Sequence, residues 1–431
     1  MNKRVLIVTP NFPPISCPDM HRVRMSLPYF KECGWEPLIL KINPDEQEGI
    51  KDLDLCKTVP ADVKTWQAGF IPKSWISWLK VNNVGLRSFF HLAHLGNQII
   101  ESEKPELIFF STTLFPVMTL ARYWYWKYGL PYVLDFQDPW LSDYQAMGDA
   151  FYQSWKYKAS QLNAGILEPW TLKNVSHVIS VSSGYVDTLL KRYDWLKPEQ
   201  FTVLPFGAAE TDFTVLKEQR IQHNHFDPND GKQHWVYVGR GGEDMGFALR
   251  CLFEALARSR QHSPENTNLI LHFIGTDYAP KERSRKTIEP IAVACGVGDM
   301  VHEHSERIPY FEALQCLLDA DALIVPGSND PSYTASKIYP YILAGKPLLA
   351  IFHEKSSVVN VLKNTKAGTV VTFGTKAEIE QVADAIATNW LKSPPPTPEI
   401  NWEALKEYTA KEMTCRLCDI FDRVNFSASG V

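Results

Sequence analysis

Residues 234–246 read HWVYVGRGGEDMG, and the order of residue types within them decides the fold. His234–Val238 is a short run rich in apolar, β-branched and aromatic residues, which reads as a strand. Gly239-Arg240-Gly241-Gly242 follows at once, and a helical segment is expected over Gly246–Arg258. A strand, a glycine turn and a helix in that order open a unit of parallel sheet with crossover helices.

The same alternation extends in both directions. Towards the N-terminus, strands are expected at Arg4–Thr9, Glu36–Leu40, Leu107–Phe110, Tyr132–Asp135, His177–Ser180 and Thr202–Leu204. Helices at Met20–Cys33, Phe115–Lys127 and Ser154–Lys173 lie between them. The runs VLIV (5–8) and LIFF (107–110) are apolar without interruption, as strands buried on both faces are. Towards the C-terminus, strands are expected at Leu269–Ile274, Ala322–Val325, Pro347–Ile351 and Gly368–Thr372, with helices at Lys281–Cys295, Tyr310–Asp319, Lys337–Leu343 and Lys376–Leu391. The alternation breaks over the polar residues 211–233, which contain the turn cluster Asp227-Pro228-Asn229-Asp230-Gly231. The fold class is therefore α/β, with two doubly wound Rossmann-like domains at 1–210 and 211–401. After SPPPTPE (393–399), a C-terminal helix within 402–431 is expected to pack back on the first domain.

Composition bounds the function. A chain of 431 residues suits two or three domains, and 45% hydrophobic with 22% charged residues is a globular balance. The net charge of -5 argues against a general nucleic-acid binder. The eight cysteines are scattered, and Cys415 and Cys418 sit one helical turn apart, where packing explains them better than zinc or redox chemistry. The apolar run Val5–Val8 is too short for a signal-peptide core. No stretch reaches the roughly 18 apolar residues of a membrane span. A cytoplasmic protein is expected, peripheral on the inner face of a membrane if residues 66–90 touch one. That segment mixes Trp66, Phe70, Trp75, Trp78, Phe89 and Phe90 with Lys73, Lys80 and Arg87, a composition suited to a membrane interface, to an acceptor groove, or to an irregular cover over the first domain.

Ligands of open α/β sheets bind beyond the carboxyl ends of the strands. Four such places carry chemistry. After the strand at 234–238, Gly239, Gly241 and Gly242 would let backbone approach a ligand, and Arg240 could fork onto phosphate oxygens. The spacing is not the dinucleotide fingerprint, and a solvated Arg on a tight turn is the structural alternative. In PSYTASKIYPYILAGKP (331–347), Ser336 could cap a helix whose first residue is Lys337. Free N–H groups and the helix dipole there favour an anion, and an ordinary capped helix is the alternative. In LDFQDPW (134–140), Asp135 and Asp138 leave a strand end where they could accept sugar hydroxyls or act as a base, or simply shape an Asx turn. After the first strand, Pro18-Asp19 precedes a helix that starts with His21, Arg22 and Arg24, and either arginine could meet an anion or be solvated. The histidine spacing suits no metal site, and neither a P-loop nor a nucleophile elbow is present.

Taken in order, LIVTPNFPP, LDFQDPW, HVISVSSGY, VLPFGAAETDF, WVYVGRGG, LHFIGT, LQCLLDADALIVPGS and SKIYPYILAGKPLLAI resemble the GT-B glycosyltransferases of the group 1, retaining, family-4-like type. The resemblance covers nearly the whole chain. It implies two Rossmann-like domains facing a central cleft, the N-terminal one for an acceptor and the C-terminal one for a nucleotide-diphosphate-sugar donor. It places Arg240, Ser336 and Lys337 at the diphosphate and the backbone of Arg307, Ile308 and Pro309 at the base. Many members carry a second Lys where this chain has Met245, and two Glu where it has Ser332 and Pro340. Asp330 and Tyr341 are then the candidates for ribose and sugar contacts. Asp19 stands near the usual Gly-Gly of the first loop. With Arg22, Arg24 and Asp135 it makes the candidate acceptor side. Arg240, Lys337 and Asp138 are the catalytic candidates. Fixed positive charge would stabilise the leaving diphosphate with no metal and no cofactor. The acceptor would be a glycan, a lipid-linked or a small hydroxyl compound. If the reaction retains configuration the leaving phosphate takes the proton; if it inverts, Asp138 is the base. A sugar-nucleotide epimerase and a non-catalytic nucleotide-sugar-binding protein are the rival readings.

Overall fold

The computed structural model describes residues 3–47, 49–75, 83–141, 155–262, 268–279, 283–331, 336–374, 378–391 and 395–429. The chain divides into two compact units, Met1–Gly207 with Ala410–Val431, and Ala208–Thr409.

The first unit is built on the strands β1 (Lys3–Val8), β2 (Trp35–Ile42), β3 (Lys64–Ala68), β4 (Leu107–Ser111), β5 (Tyr132–Phe136), β6 (His177–Ser180) and β7 (Phe201–Val203). They form one sheet in the order β3-β2-β1-β4-β5-β6-β7, and every pairing is parallel. Val5–Val8 and Leu107–Phe110 are fully buried, as their unbroken apolar runs require. The strand order reverses between β1 and β4.

The second unit repeats this plan with β8 (Gln233–Val238), β9 (Leu269–Ile274), β10 (Val301–His304), β11 (Ala322–Pro326), β12 (Leu348–His353) and β13 (Thr369–Phe373). The order is β10-β9-β8-β11-β12-β13, again all parallel. Its order reverses between β8 and β11. Open parallel sheets carry their ligand crevice at such a switch point, beyond the strand carboxyl ends. Arg240 leaves β8 and Lys337 follows β11, so these two residues flank it.

Several elements differ from the sequence reading. The helix expected over Met20–Cys33 is regular only over His21–Ser26, and Pro28 follows it closely. Residues 211–233 are not uniformly loop, because Glu210–Glu218 is helical with Phe213 and Leu216 buried. Part of segment 66–90 lies in a long helix, Val84–Glu103, capped by Asn83. Trp75 and Phe90 are exposed there, but Arg87 is buried over the Phe70 ring and donates to the Ile71 carbonyl. Trp78 and Lys80 lie outside the described residues. The C-terminal helix Ala410–Ser429 packs on the first unit, where Phe421 meets Phe30, Trp35 and Phe109. No helix among the described residues is long and apolar enough to cross a membrane.

Candidate functional site

At the carboxyl edge of the second sheet, β8 ends by handing its chain to β9. Gly239 N–H donates to the Ile274 carbonyl and Gly241 N–H to the Thr276 carbonyl. The glycines are needed because side chains occupy the space a Cβ would take. A Cβ at Gly239 would lie 2.7 Å from the Lys337 Nζ, and one at Gly241 would lie 2.7 Å from the Thr287 hydroxyl. At Gly242 the neighbours are Asp244 and Arg240.

Lys337 is the centre of the arrangement. Its ammonium donates to the Tyr237 hydroxyl at 2.5 Å, and that hydroxyl donates to the Arg240 carbonyl at 2.7 Å. Burial, then the Arg240 guanidinium, then that of Arg307 push the Lys337 ammonium down to about 7, with Asp244 opposing them. Arg240 and Lys337 therefore face each other electrostatically. Arg240 is partly exposed but paired: it holds Asp244 in a two-pronged pair at 2.9 and 2.7 Å. Burial works against the Asp244 charge, but hydrogen bonds from Arg240 and Ser328 outweigh it and hold the carboxyl below its ordinary range.

Two expectations on this edge are corrected. Ser336 does not cap the following helix. That helix is only Ile338–Leu343, its N-cap is Lys337 in a helical conformation, and no side chain caps it. One and a half turns supply little dipole, so the positive charge here is that of side chains. Tyr341 is buried, accepting from the Val238 N–H at 2.7 Å and donating to the Val238 carbonyl at 3.0 Å. It pins the end of β8 and has no free hydroxyl for a sugar. Asp330 is exposed beside the loop that leaves β11. Arg307, Ile308 and Pro309 are partly exposed after β10, before the helix Tyr310–Asp319. Met245 is fully buried, so it stands in for no cation.

Sequence reasoning missed the supports. Glu303 of β10 is buried, and its carboxylate accepts from the Thr276 hydroxyl and from the N–H groups of Thr287, Ile288 and Glu289. It fixes the loop against which Gly241 lies. Only its place between two histidines in a strand whose faces alternate could have signalled this.

The first unit has its own cluster at its switch point. Asp19, after β1, accepts from Asn11 Nδ2 at 3.0 Å and from the Thr112 hydroxyl and the Thr113 N–H, after β4, at 3.2 and 3.0 Å. Asp19 is thus buried and tied, and is corrected from an acceptor contact to a brace. The same holds for Arg22 and Asp135, which have no exposed side-chain surface. Arg22 Nε donates to Asp135 Oδ2 at 2.7 Å, and Nη2 donates to the Leu204 carbonyl. Ser111 and Gln137 donate to the same carboxylate oxygen. Arg24 is buried as well, against Thr58 and His21. Desolvation explains why these charges are paired: an unpaired buried ion costs several kcal/mol, on the order of 3–5 when a partner is removed. Of the acidic candidates of the first unit only Asp138 reaches solvent. Enclosure by surrounding protein, helped by the Asp19 anion, pushes its carboxyl up to about 6.

No family model matches the chain, and no curated protein matches it. Solved structures are. HepE of Anabaena, determined with UDP-glucose, is 14% identical over 97% of this chain and 99% of its own, with a TM-score of 0.58. Sucrose-phosphate synthase of Thermosynechococcus elongatus is 15% identical over 99% and 100%, with a TM-score of 0.59. A glycosyltransferase of Rickettsia africae is 15% identical over 98% of both chains, with a TM-score of 0.55. The chain has the GT-B fold.

Proposed function

We propose that the protein is a glycosyltransferase that moves a sugar from a nucleotide-diphosphate-sugar to a hydroxyl acceptor. One observation carries the reading: Arg240 and Lys337, from either side of the sheet's switch point, lie against glycines of the same turn, close enough for the guanidinium to act on the ammonium. A diphosphate is a poor leaving group until its developing charge is met, and fixed cations in a partly desolvated site meet it without reorganisation. In this reading side-chain cations neutralise the diphosphate in place of a metal ion. The reaction retains configuration if the departing phosphate takes the acceptor's proton. HepE was determined with UDP-glucose, which makes UDP-sugars the first donors to try. The acceptor is a glycan, a lipid-linked or a small hydroxyl compound. Exposed Trp75 and Phe90 support a surface contact through residues 66–90 for a lipid-linked one.

The test is release of nucleoside diphosphate from a panel of nucleotide-sugars, with and without acceptor extracts. Transfer in the wild type, and its loss in Lys337→Ala and Arg240→Ala proteins that still fold, is the expected result. Interconversion of sugar-nucleotides without acceptor would make the protein an epimerase. Donor binding with neither transfer nor slow hydrolysis would make it a non-catalytic binder.

A further inference from the structure

The side chain of Arg307 is the least satisfied cation described in the second unit. Its Nε and Nη2 are buried and have no hydrogen-bond partner among the described residues. The Tyr278 ring lies 3.9 Å from the guanidinium carbon. A ring face satisfies the flat face of a guanidinium, but its N–H groups point outwards in the plane and want acceptors. Buried donors left unpaired cost free energy, so each such group calls for an explanation. The construction around Arg307 also repeats that around Lys337. Lys337 Nζ lies against Gly239, and the Arg307 side chain lies against Gly275, with Cδ 3.7 Å and Nη1 3.9 Å from the Cβ position that Gly275 leaves vacant. Gly275 follows β9 at a φ of +73°, so the sheet edge bends away beneath this side chain too. The two cations act on each other across that edge.

Charge balance then separates the three basic residues. Arg240 already has a two-pronged carboxylate partner in Asp244, so that pair is neutral. Among the described residues, Lys337 has a hydroxyl partner and no carboxylate, and Arg307 has a ring. The charge without an anion is therefore that of Lys337 and Arg307, and it matches the double negative charge of a diphosphate diester. Resting on the reading above, we infer that Arg307 is a diphosphate-binding residue: with Lys337 it carries the charge that holds the anion, while the Arg240–Asp244 pair shapes the turn between them. The enclosed Nε and Nη2 edge of Arg307 has to open for the anion to complete it.

The experiment is calorimetric titration of the full chain with inorganic pyrophosphate and with UDP. It compares wild type, Arg307→Gln, Arg307→Lys and Arg240→Gln at low and at moderate salt. The expected result is tenfold or greater weakening of both ligands in Arg307→Gln, at least equal to the loss in Arg240→Gln. Arg307→Lys should recover part of it. The salt dependence of affinity should shrink in Arg307→Gln, because one screened attraction is gone. The pH at which pyrophosphate binding is half lost should also move upwards, because Lys337 has lost a repelling neighbour; a residue serving only to pack Tyr278 would leave that midpoint in place. Wild-type affinity and an unmoved midpoint in Arg307→Gln, with binding intact in the wild type, would overturn this inference and leave the diphosphate reading standing. A wild type that binds neither ligand would overturn both. Should Arg307→Gln fail to fold, Arg307→Met decides: an unmoved salt slope and midpoint there, with pyrophosphate affinity no weaker than wild type, would equally overturn it.

Discussion

A lysine ammonium enclosed beside two guanidiniums is costly until an anion arrives, and the cost sets two pH dependences of opposite sign. The folded-state value of about 7 lies below the ordinary 10.5. Between those values the unfolded chain holds a proton that the folded chain has released, so stability rises with pH across that window. Anion binding needs the protonated form, so affinity for UDP should fall as pH rises through about 7. Urea unfolding and UDP titration at pH 6 and pH 9 check both slopes. Lys337→Met removes the half-buried charge. It is expected to unfold at a higher urea concentration than wild type at pH 6, to lose that advantage by pH 10.5, and to bind UDP at least tenfold more weakly. Gly239→Ala addresses the same atom from below, since its methyl would sit 2.7 Å from Nζ and 3.0 Å from the Tyr237 hydroxyl. Gly239 also holds a φ of +156° that side chains rarely adopt, so both UDP affinity and the unfolding midpoint should drop; unchanged affinity would show that the ammonium is not held where the ligand sits.

At the scale of elements, the buried pair Arg22–Asp135 joins the helix His21–Ser26 to β5, and its loss is a matter of folding. Arg22→Met and Asp135→Asn singly should each cost about 3–5 kcal/mol, because a lone buried charge remains, whereas the double substitution should cost less than their sum. Denaturant titration of the three variants checks this, and additive losses would mean that the two charges do not share one partner. What the sequence could show follows from the same physics. Strands buried on both faces, such as β1 and β4, announce themselves as apolar runs. The strands β3 and β10 lie at sheet edges and read KTWQA and VHEH, so no apolar run marks them. Arg240 was legible as a strand-end cation and Lys337 as a cation at a helix start. The buried pairing of Arg22, Asp135 and Asp19 was not, since a charged residue near a strand end looks the same in sequence whether it meets water or a partner 113 positions away. The expected Ser336 cap fails because the helix starts one residue later, at Ile338, and leaves Lys337 at the N-cap position.

For the whole molecule, the two units share a doubly wound plan but fill their switch points with opposite chemistry. The second unit gathers Arg240, Lys337 and Arg307, which suits an anion. The first presents the exposed carboxyl of Asp138 near the buried Asp19 brace, which suits a proton acceptor. A transfer reaction that uses both should then have a rate bounded on each side by one group. Asp138, raised to about 6, loses its ability to accept a proton as pH falls below that value. Lys337 loses its charge as pH rises above about 7. If Asp138 is the base, kcat/KM for donor with saturating acceptor should be bell-shaped with its maximum between those values, and Asp138→Asn should erase the acidic limb and lower kcat by about 10²–10⁴ with UDP affinity unchanged. If instead the departing diphosphate takes the acceptor's proton, the acidic limb should survive Asp138→Asn or be absent from wild type, and the substitution should leave kcat within a few fold. Because Lys337 belongs to the donor side in both cases, its alkaline limb should persist either way, so the acidic limb alone decides which unit supplies the proton acceptor.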